Sequence, residues 1–149
     1  MSNCVKITKE VLDADSVFDL LWTLDSIFAE GLQQTVELNE YSKKLSKYAN
    51  FIAAKLNEEY IGLIAYYINE KDRFLFVPYV CVKTGFRKLG IADNLMEYLI
   101  QEADCKSFKI LLEVRNNNVS AIKLYEKYGF IVMHKGLLKS SMTREHLDK

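Results

Sequence analysis

Residues 50 to 82 constrain the fold of this chain more than any other stretch. Three short apolar runs follow one another there, NFIAAKL, YIGLIAYYI and FLFVPYVCV, separated by NEE and NEKD. Runs of this length, rich in Ile, Ala, Tyr, Phe and Val, suit strands, and polar separators this short let consecutive strands return only antiparallel. A three-stranded antiparallel core is the expected centre of the molecule. The third run then leads through KTGFRKLG into a helical stripe of Ile91, Ala92, Leu95, Met96, Leu99, Ile100 and Ala103, whose opposite face carries Asp93, Asn94, Glu97, Gln101 and Glu102.

The flanks complete the pattern. A short strand is expected at Val5 to Ile7. Val17, Leu20, Leu21, Leu24, Ile27 and Phe28 then recur at helical spacing behind the cap candidates Asp13, Asp15 and Ser16, with Gly31 as terminator. A second, shorter helix is expected from about Asn39, with Tyr41, Leu45 and Tyr48 on one face. Beyond the central helix, SFKILLEV reads as an apolar strand and NNNVSAIKLYEKYG as a helix capped by Asn118 and closed by Gly129. FIVMHKG and LLKSSMT read as a last pair of strands. The order β-α-α-β-β-β-α-β-α-β-β describes an α+β or mixed α/β domain. No repeat, low-complexity tract or linker divides residues 1 to 149, so one domain is expected.

Charge narrows the function classes. Twenty basic and 20 acidic side chains cancel, leaving no basic field to attract nucleic acid. The N-terminus MSNCVKITKEVLDADS lacks the apolar centre of a signal peptide, and no apolar run approaches the roughly 20 residues that span a bilayer. Neither a nucleic acid nor a membrane is expected as partner, and a cytoplasmic location is the default. Cys4, Cys81 and Cys105 are odd in number and widely spaced, so they are read as thiols rather than as disulfides or a metal pair. His134 and His146 have no cysteine or acidic partner at ligand spacing, and no metal is expected.

The stretch GFRKLGIA, residues 85 to 92, raises the question of an anion site. A helix that begins near Leu89 or Gly90 exposes its first amides and the positive end of its dipole, glycine lets backbone amides approach an oxygen closely, and Arg87 and Lys88 add charge. The spacing from Gly85 to Gly90 copies the first part of a Walker A loop, yet Ile91 and Ala92 stand where Lys and Ser/Thr are required. There is no GxGxxG either. Read alone, the stretch is either a phosphate cradle or an ordinary strand-to-helix turn.

A second block, LLEVRNNNVSAIKLYEKYGF, decides between them. Val80-Cys81-Val82 followed by Arg87-Lys88-Leu89-Gly90-Ile91-Ala92, and then Asn118, Ala121, Leu124, Tyr125, Gly129 and Phe130, together resemble the V-x-V, R/Q-x-x-G-x-G/A and N-x-x-A-x-x-L-Y-x-x-x-G-F segments of the GCN5-related N-acetyltransferase (GNAT) family. The resemblance covers about residues 74 to 133. It implies the acyl-CoA N-acyltransferase fold: a mixed, mostly antiparallel sheet of about seven strands, flanked by about four helices, with one splayed strand pair. It implies acetyl-coenzyme A as co-substrate, with the pyrophosphate on the amides of residues 87 to 92 and the pantetheine arm along the backbone of Val80 and Val82. The Cys81 amide or a neighbour would polarise the acetyl carbonyl. Tyr125 would be the general acid for the departing thiolate, Tyr128 a structural aromatic, and Asn118 both a helix cap and a coenzyme contact.

Glu113 lies twelve residues before Tyr125, as a glutamate does in members that acetylate protein N-termini. The base is therefore Glu113 or a water, because strand alternation could equally turn Glu113 away to pair with a cation. Thr84 and Ala92 depart from the commoner proline and glycine of the family pattern, and neither removes a backbone amide that the pattern needs. The acceptor, a small-molecule amine or a peptide or protein amine, would be framed by residues 30 to 38, where Glu30 and Glu37 lie with Glu40 just beyond, and by the turn from His134 to Leu138. A non-catalytic acyl-CoA-binding module is the alternative, and the presence of Tyr125 speaks for catalysis. A monomer and a homodimer are both compatible with the sequence.

Overall fold

The computed structural model describes residues 5–24 and 32–146. Its elements run β1 (Val5–Glu10), α1 (Ala14–Leu24), α2 (Leu32–Tyr48), β2 (Asn50–Leu56), β3 (Glu59–Asn69), β4 (Phe74–Val82), α3 (Ile91–Lys106), β5 (Lys109–Arg115), α4 (Val119–Lys127), β6 (Ile131–Lys135) and β7 (Lys139–Arg144). The strands form one sheet in the order β1-β2-β3-β4-β5-β7-β6. Every neighbouring pair is antiparallel except β4 and β5, which are parallel. The expected mixed, mostly antiparallel sheet with four helices is what the chain adopts.

The caps show why the helices begin where they do. Of the three candidates before α1, Asp13 is the cap: its carboxylate accepts from the Ser16 amide at 2.8 Å and its carbonyl from Val17 at 2.9 Å. Val17, Leu20, Leu21 and Leu24 form the buried stripe behind it. Ile27, Phe28 and Gly31, expected to continue and end this helix, lie outside the described residues. The second helix starts earlier than its polarity suggests, at Leu32 rather than near Asn39. Its buried side chains include Leu38, Ser42 and Leu45, whereas Tyr48 is exposed under Lys47. Residues 32 to 38 are therefore helix, not a loop over the acceptor, and Glu30 lies outside the described residues.

The sheet carries helices on both faces. On one face α3 and α4 pack Leu95, Met96, Leu99 and Tyr125 over Ile64, Leu75, Ile110 and Leu112. On the other, α1 and α2 pack Leu21, Leu24 and Leu45 over Phe51, Leu63 and Tyr79. Gly62 lets α3 sit close to β3: a Cβ there would come within 3.0 Å of Leu95 Cδ1 and 3.3 Å of Ile91 Cγ2.

One irregularity governs the middle of the sheet. The β3–β4 register slips between Ala65/Tyr79 and Tyr67/Phe76, so that Val77 and Pro78 together oppose Tyr66. Pro78 has no amide to donate, and a strand interior tolerates it only at such a bulge. The extra residue switches faces. Leu75 and Val77 point toward α3 before the bulge, Val80 and Val82 do so after it, and Tyr79 and Cys81 turn to the α1 and α2 side. Among the described residues no helix is long and apolar enough to cross a membrane.

Candidate functional site

The parallel strands β4 and β5 part just past the bulge. Their pairing runs from Phe74/Lys109 to Val77/Leu112 and stops. Beyond that point β4 continues along β3 as far as Val82, and β5 continues along β7 as far as Arg115. A gap opens between them, with Val80 and Val82 on one side and Val114 on the other.

The backbone polarity of that gap follows from one hydrogen bond. The Lys83 amide donates to the Ile61 carbonyl at 2.8 Å, which makes 61/83, 63/81 and 65/79 the hydrogen-bonded pairs of the β3–β4 ladder. The amide and carbonyl of Cys81 are thus taken up by Leu63, and the thiol donates to the Leu24 carbonyl at 3.3 Å. Cys81 is turned from the gap in both backbone and side chain, so of the two expected donors, the Cys81 amide or a neighbour, the neighbour is the one that faces the gap. Val80 and Val82 instead direct their backbone groups away from β3 and into the gap.

At the wide end the chain turns through residues 83 to 90. Phe86 donates to the Lys83 carbonyl at 3.0 Å, and Arg87 folds back so that its Nε donates to the Val82 carbonyl at 3.2 Å. Lys88 and Gly90 both have left-handed backbone, with φ of 66° and 80°. Gly90 is the N-cap of α3, so no side chain caps that helix. Its glycine is required by conformation and not by crowding, since a Cβ would meet nothing within 4 Å. Among the described residues no acceptor is bonded to the amides of Leu89, Gly90, Ile91 or Ala92. The exposed side chains of Arg87 and Lys88 flank these donors.

Helix α4 brings the tyrosine to the same face. Asn118 caps it, accepting from the Ala121 amide at 3.3 Å, and Tyr125 is buried with Val80, Val82 and Val114 in the core on the α3 side. The Tyr125 ring lies tilted against Phe130, with centroids 5.6 Å apart. Burial pushes the Tyr125 phenol up to about 12, with no hydrogen bond contributing. Tyr128 donates its hydroxyl to Asp93 at 2.9 Å and is half-buried; burial first, and the Asp93 carboxylate second, push its pKa up.

Glu113 points to the opposite face. Ile110, Leu112 and Val114 are buried toward α3 and α4, so Glu113 alternates to the far side, exposed, with Lys139 Nζ at 3.1 Å. Among the described residues the core under α1 and α2 draws on β2, β3 and β4 and includes nothing from β5 to β7. A shallow groove of about 770 Å³, lined by Tyr67, Phe74, Phe76 and Leu111 among others, lies at the paired end of β4 and β5 and not in the gap. The turn after β6 is held by Asn116, whose amide donates to the Leu138 carbonyl at 2.9 Å and whose Nδ2 donates to that of Gly136 at 3.0 Å. Glu37 is exposed and Glu40 pairs with Lys43 at 3.6 Å within α2. Among the described residues no group of His, Cys, Asp and Glu is placed to hold a metal.

A strand gap with outward backbone groups, an uncapped helix start and a buried phenol on one face match a known pattern. The sequence model of the Acetyltransferase (GNAT) family matches residues 14–130. The chain belongs to the GNAT family. It is 30% identical over 126 residues to N-alpha-acetyltransferase 20 of Dictyostelium discoideum, covering 78% of this chain and 70% of that protein. It is 31% identical over 84 residues to human N-alpha-acetyltransferase 30, covering 52% of this chain but 23% of that protein, so it spans less than a quarter of the human relative. Among solved structures, a GNAT family acetyltransferase from Elizabethkingia anophelis with acetyl-CoA bound superposes with a TM-score of 0.73 at 20% identity, covering 97% of this chain and 99% of that one. That likeness establishes the GNAT fold.

Two features of this GNAT site were not read from the sequence. The bulge had a signal in Pro78, an imino acid inside a strand. The bond from Arg87 to Val82 had none, since it depends on the path of the intervening loop.

Proposed function

We propose that this protein is an acetyl-CoA-dependent N-acetyltransferase acting on a primary amine. The observation that carries the reading is the strand gap: Val80 and Val82 direct backbone groups into it, with the Val82 carbonyl met by Arg87 Nε, it leads to the uncapped start of α3, and Tyr125 is buried on the same face. These groups fit a long ligand with an extended polar arm and an anionic end. Acetyl-CoA, when bound, supplies an acetyl group activated as a thioester.

The residues divide the work by position. The backbone of Val80 and the amide of Val82 pair with the arm as a neighbouring strand would, while the Val82 carbonyl accepts from Arg87. The amides of residues 87 to 92, with the side chains of Arg87 and Lys88, hold the pyrophosphate. With the Cys81 amide taken by Leu63, the donor for the acetyl oxygen falls to Val80. Asn118 keeps the start of α4 in place beside the arm.

Glu113, or a water in its place, takes a proton from the amine as the C–N bond forms. Tyr125 donates to the sulfur as the C–S bond breaks, and it recovers a proton from solvent. A phenol near 12 remains protonated through the neutral range, and it is a weaker acid than a thiol of about 8.5. Tyr125 therefore works first as a hydrogen-bond donor to developing charge, completing the transfer only as the amine proton leaves.

The relatives named N-alpha-acetyltransferases favour the α-amine of a peptide or protein as acceptor. An acceptor screen tests the reading: peptides with free N-termini, amino acids, amino sugars and polyamines are offered with acetyl-CoA, and thiol release is recorded. Amine-dependent release from at least one class is expected. Release no faster than in the absence of amine, across all classes, would count against it.

A further inference from the structure

We propose that Tyr128 is a positioning residue that aims Tyr125, acting through a polar chain that begins and ends on α3. The proposal rests on the reading of Tyr125 as the acid. Helix α4 is nine residues long, and among its described residues Tyr125 alone is buried. Ala121, Ile122, Leu124 and Tyr128 pack against the core only in part, so a helix this short has few fully buried contacts to fix the fine aim of Tyr125. Polar contacts at its C-terminal end add to that hold.

Tyr128, the C-cap of α4, supplies three links. Its amide donates to the Tyr125 carbonyl at 3.0 Å, an acceptor it shares with the Phe130 amide, also at 3.0 Å. Its carbonyl accepts from Arg144 Nε at 3.0 Å. Its hydroxyl donates to Asp93 Oδ1 at 2.9 Å. Each link ends on a group that is itself held. Arg144 is 6% exposed and grips Asp104 with both terminal nitrogens, at 2.9 and 3.2 Å. Asp93 also receives Lys127 Nζ at 2.6 Å.

The result is a continuous chain, Asp104–Arg144–Tyr128–Asp93, whose ends lie near the last and first turns of α3. The buried guanidinium satisfies a terminal carbonyl of α4, where a cation also complements the helix dipole. Asp93 is the third residue of α3, beside the amides Ile91 and Ala92. The chain therefore holds the helix that carries Tyr125 against the first turn of the helix that faces the pyrophosphate. Loss of the Tyr128–Asp93 bond leaves α4 held by Arg144, Lys127 and its apolar packing but loosens the end that sets the aim of Tyr125, and displacement of a reacting group by about 1 Å can cost on the order of 100-fold in rate.

The test is steady-state kinetics on the full chain with the best acceptor from the screen, alongside acetyl-CoA titration and melting curves. Tyr128→Phe removes the hydroxyl alone, and it should lower kcat roughly tenfold while the Kd for acetyl-CoA changes by less than about twofold. Asp93→Ala should reproduce that loss, and Asp93→Asn, which keeps an acceptor oxygen, should restore most of it. The Asp93→Ala/Tyr128→Phe double variant should be no slower than Asp93→Ala alone, because the Tyr128 bond is already lost with the Asp93 carboxylate. Unchanged kcat in Tyr128→Phe, or losses that multiply in the double variant, would overturn the proposal. If Tyr128→Phe does not fold, Asp93→Ala against Asp93→Asn decides it by the same kcat criterion. Tyr125→Phe is measured in parallel: unchanged kcat there removes the acid reading and this proposal with it, whereas slow Tyr125→Phe beside normal Tyr128→Phe removes the positioning role alone.

Discussion

Arg87 donates from Nε to the carbonyl of Val82 at 3.2 Å, joining the last residue of the splayed strand to the loop that precedes α3. One residue thereby shapes the turn while its remaining guanidinium nitrogens stay in solvent. Lysine can supply the charge but not the fork. Arg87→Lys should weaken acetyl-CoA binding by roughly three- to tenfold, and Arg87→Ala by more, with stability within about 0.5 kcal/mol of wild type because the side chain is exposed. Calorimetric titration of the two variants checks this, and equal affinities would remove Arg87 from the site.

Glu113 and Lys139 form an exposed pair, with side chains 48% and 62% accessible. Such pairs contribute about 0 to 1 kcal/mol to stability, so Glu113→Gln should melt nearly as the wild type does. If Glu113 is the base, the same variant loses kcat and the acidic limb of its pH–rate profile. A preserved profile would assign the proton to water.

Gly62 lies beneath the first turns of α3, where a Cβ would press on Leu95 and Ile91. Gly62→Ala should destabilise the fold by about 1 to 3 kcal/mol through overpacking, seen as a lower urea midpoint at unchanged slope. Because Ile91 opens α3, acetyl-CoA affinity should fall as well. A variant as stable as wild type would show that α3 has slack against the sheet.

Stability at low pH should depend on Asp93. Its carboxyl is held below the usual range, chiefly by Lys127 and then by the Tyr128 hydroxyl. A group whose folded value is depressed contributes stability fully above its unfolded value of about 4, and loses it as pH falls through the lower folded value. Melting temperatures of the wild type should therefore drop below about pH 4 more steeply than those of Asp93→Asn. Parallel curves would mean that the bonds to Asp93 add nothing.

These particulars explain why parts of the molecule were legible in the sequence. The meander from Asn50 to Val82 and the stripe of α3 were readable because period and length left one choice. The start of α2 was not, because LQQTVE has no apolar periodicity and its helical state is settled by tertiary context. Ile131, Val132 and Met133 look like core residues yet are 50 to 65% exposed, because β7 inserts between β5 and β6 and leaves β6 at the edge. At the site, Arg87 to Ala92, Asn118 and Tyr125 were recognisable as linear patterns. The displacement of Cys81 was not, since the backbone direction of a strand residue depends on which ladder bonds its partner makes.

The proposal of an acetyl-CoA site in the gap between β4 and β5, with the start of α3, stands or falls on binding. Isothermal titration of acetyl-CoA into the wild-type chain, with ATP as control, measures it. A saturable heat for one site per chain with acetyl-CoA, and none with ATP, is the predicted result. No heat with acetyl-CoA, or equal binding of ATP, would contradict it.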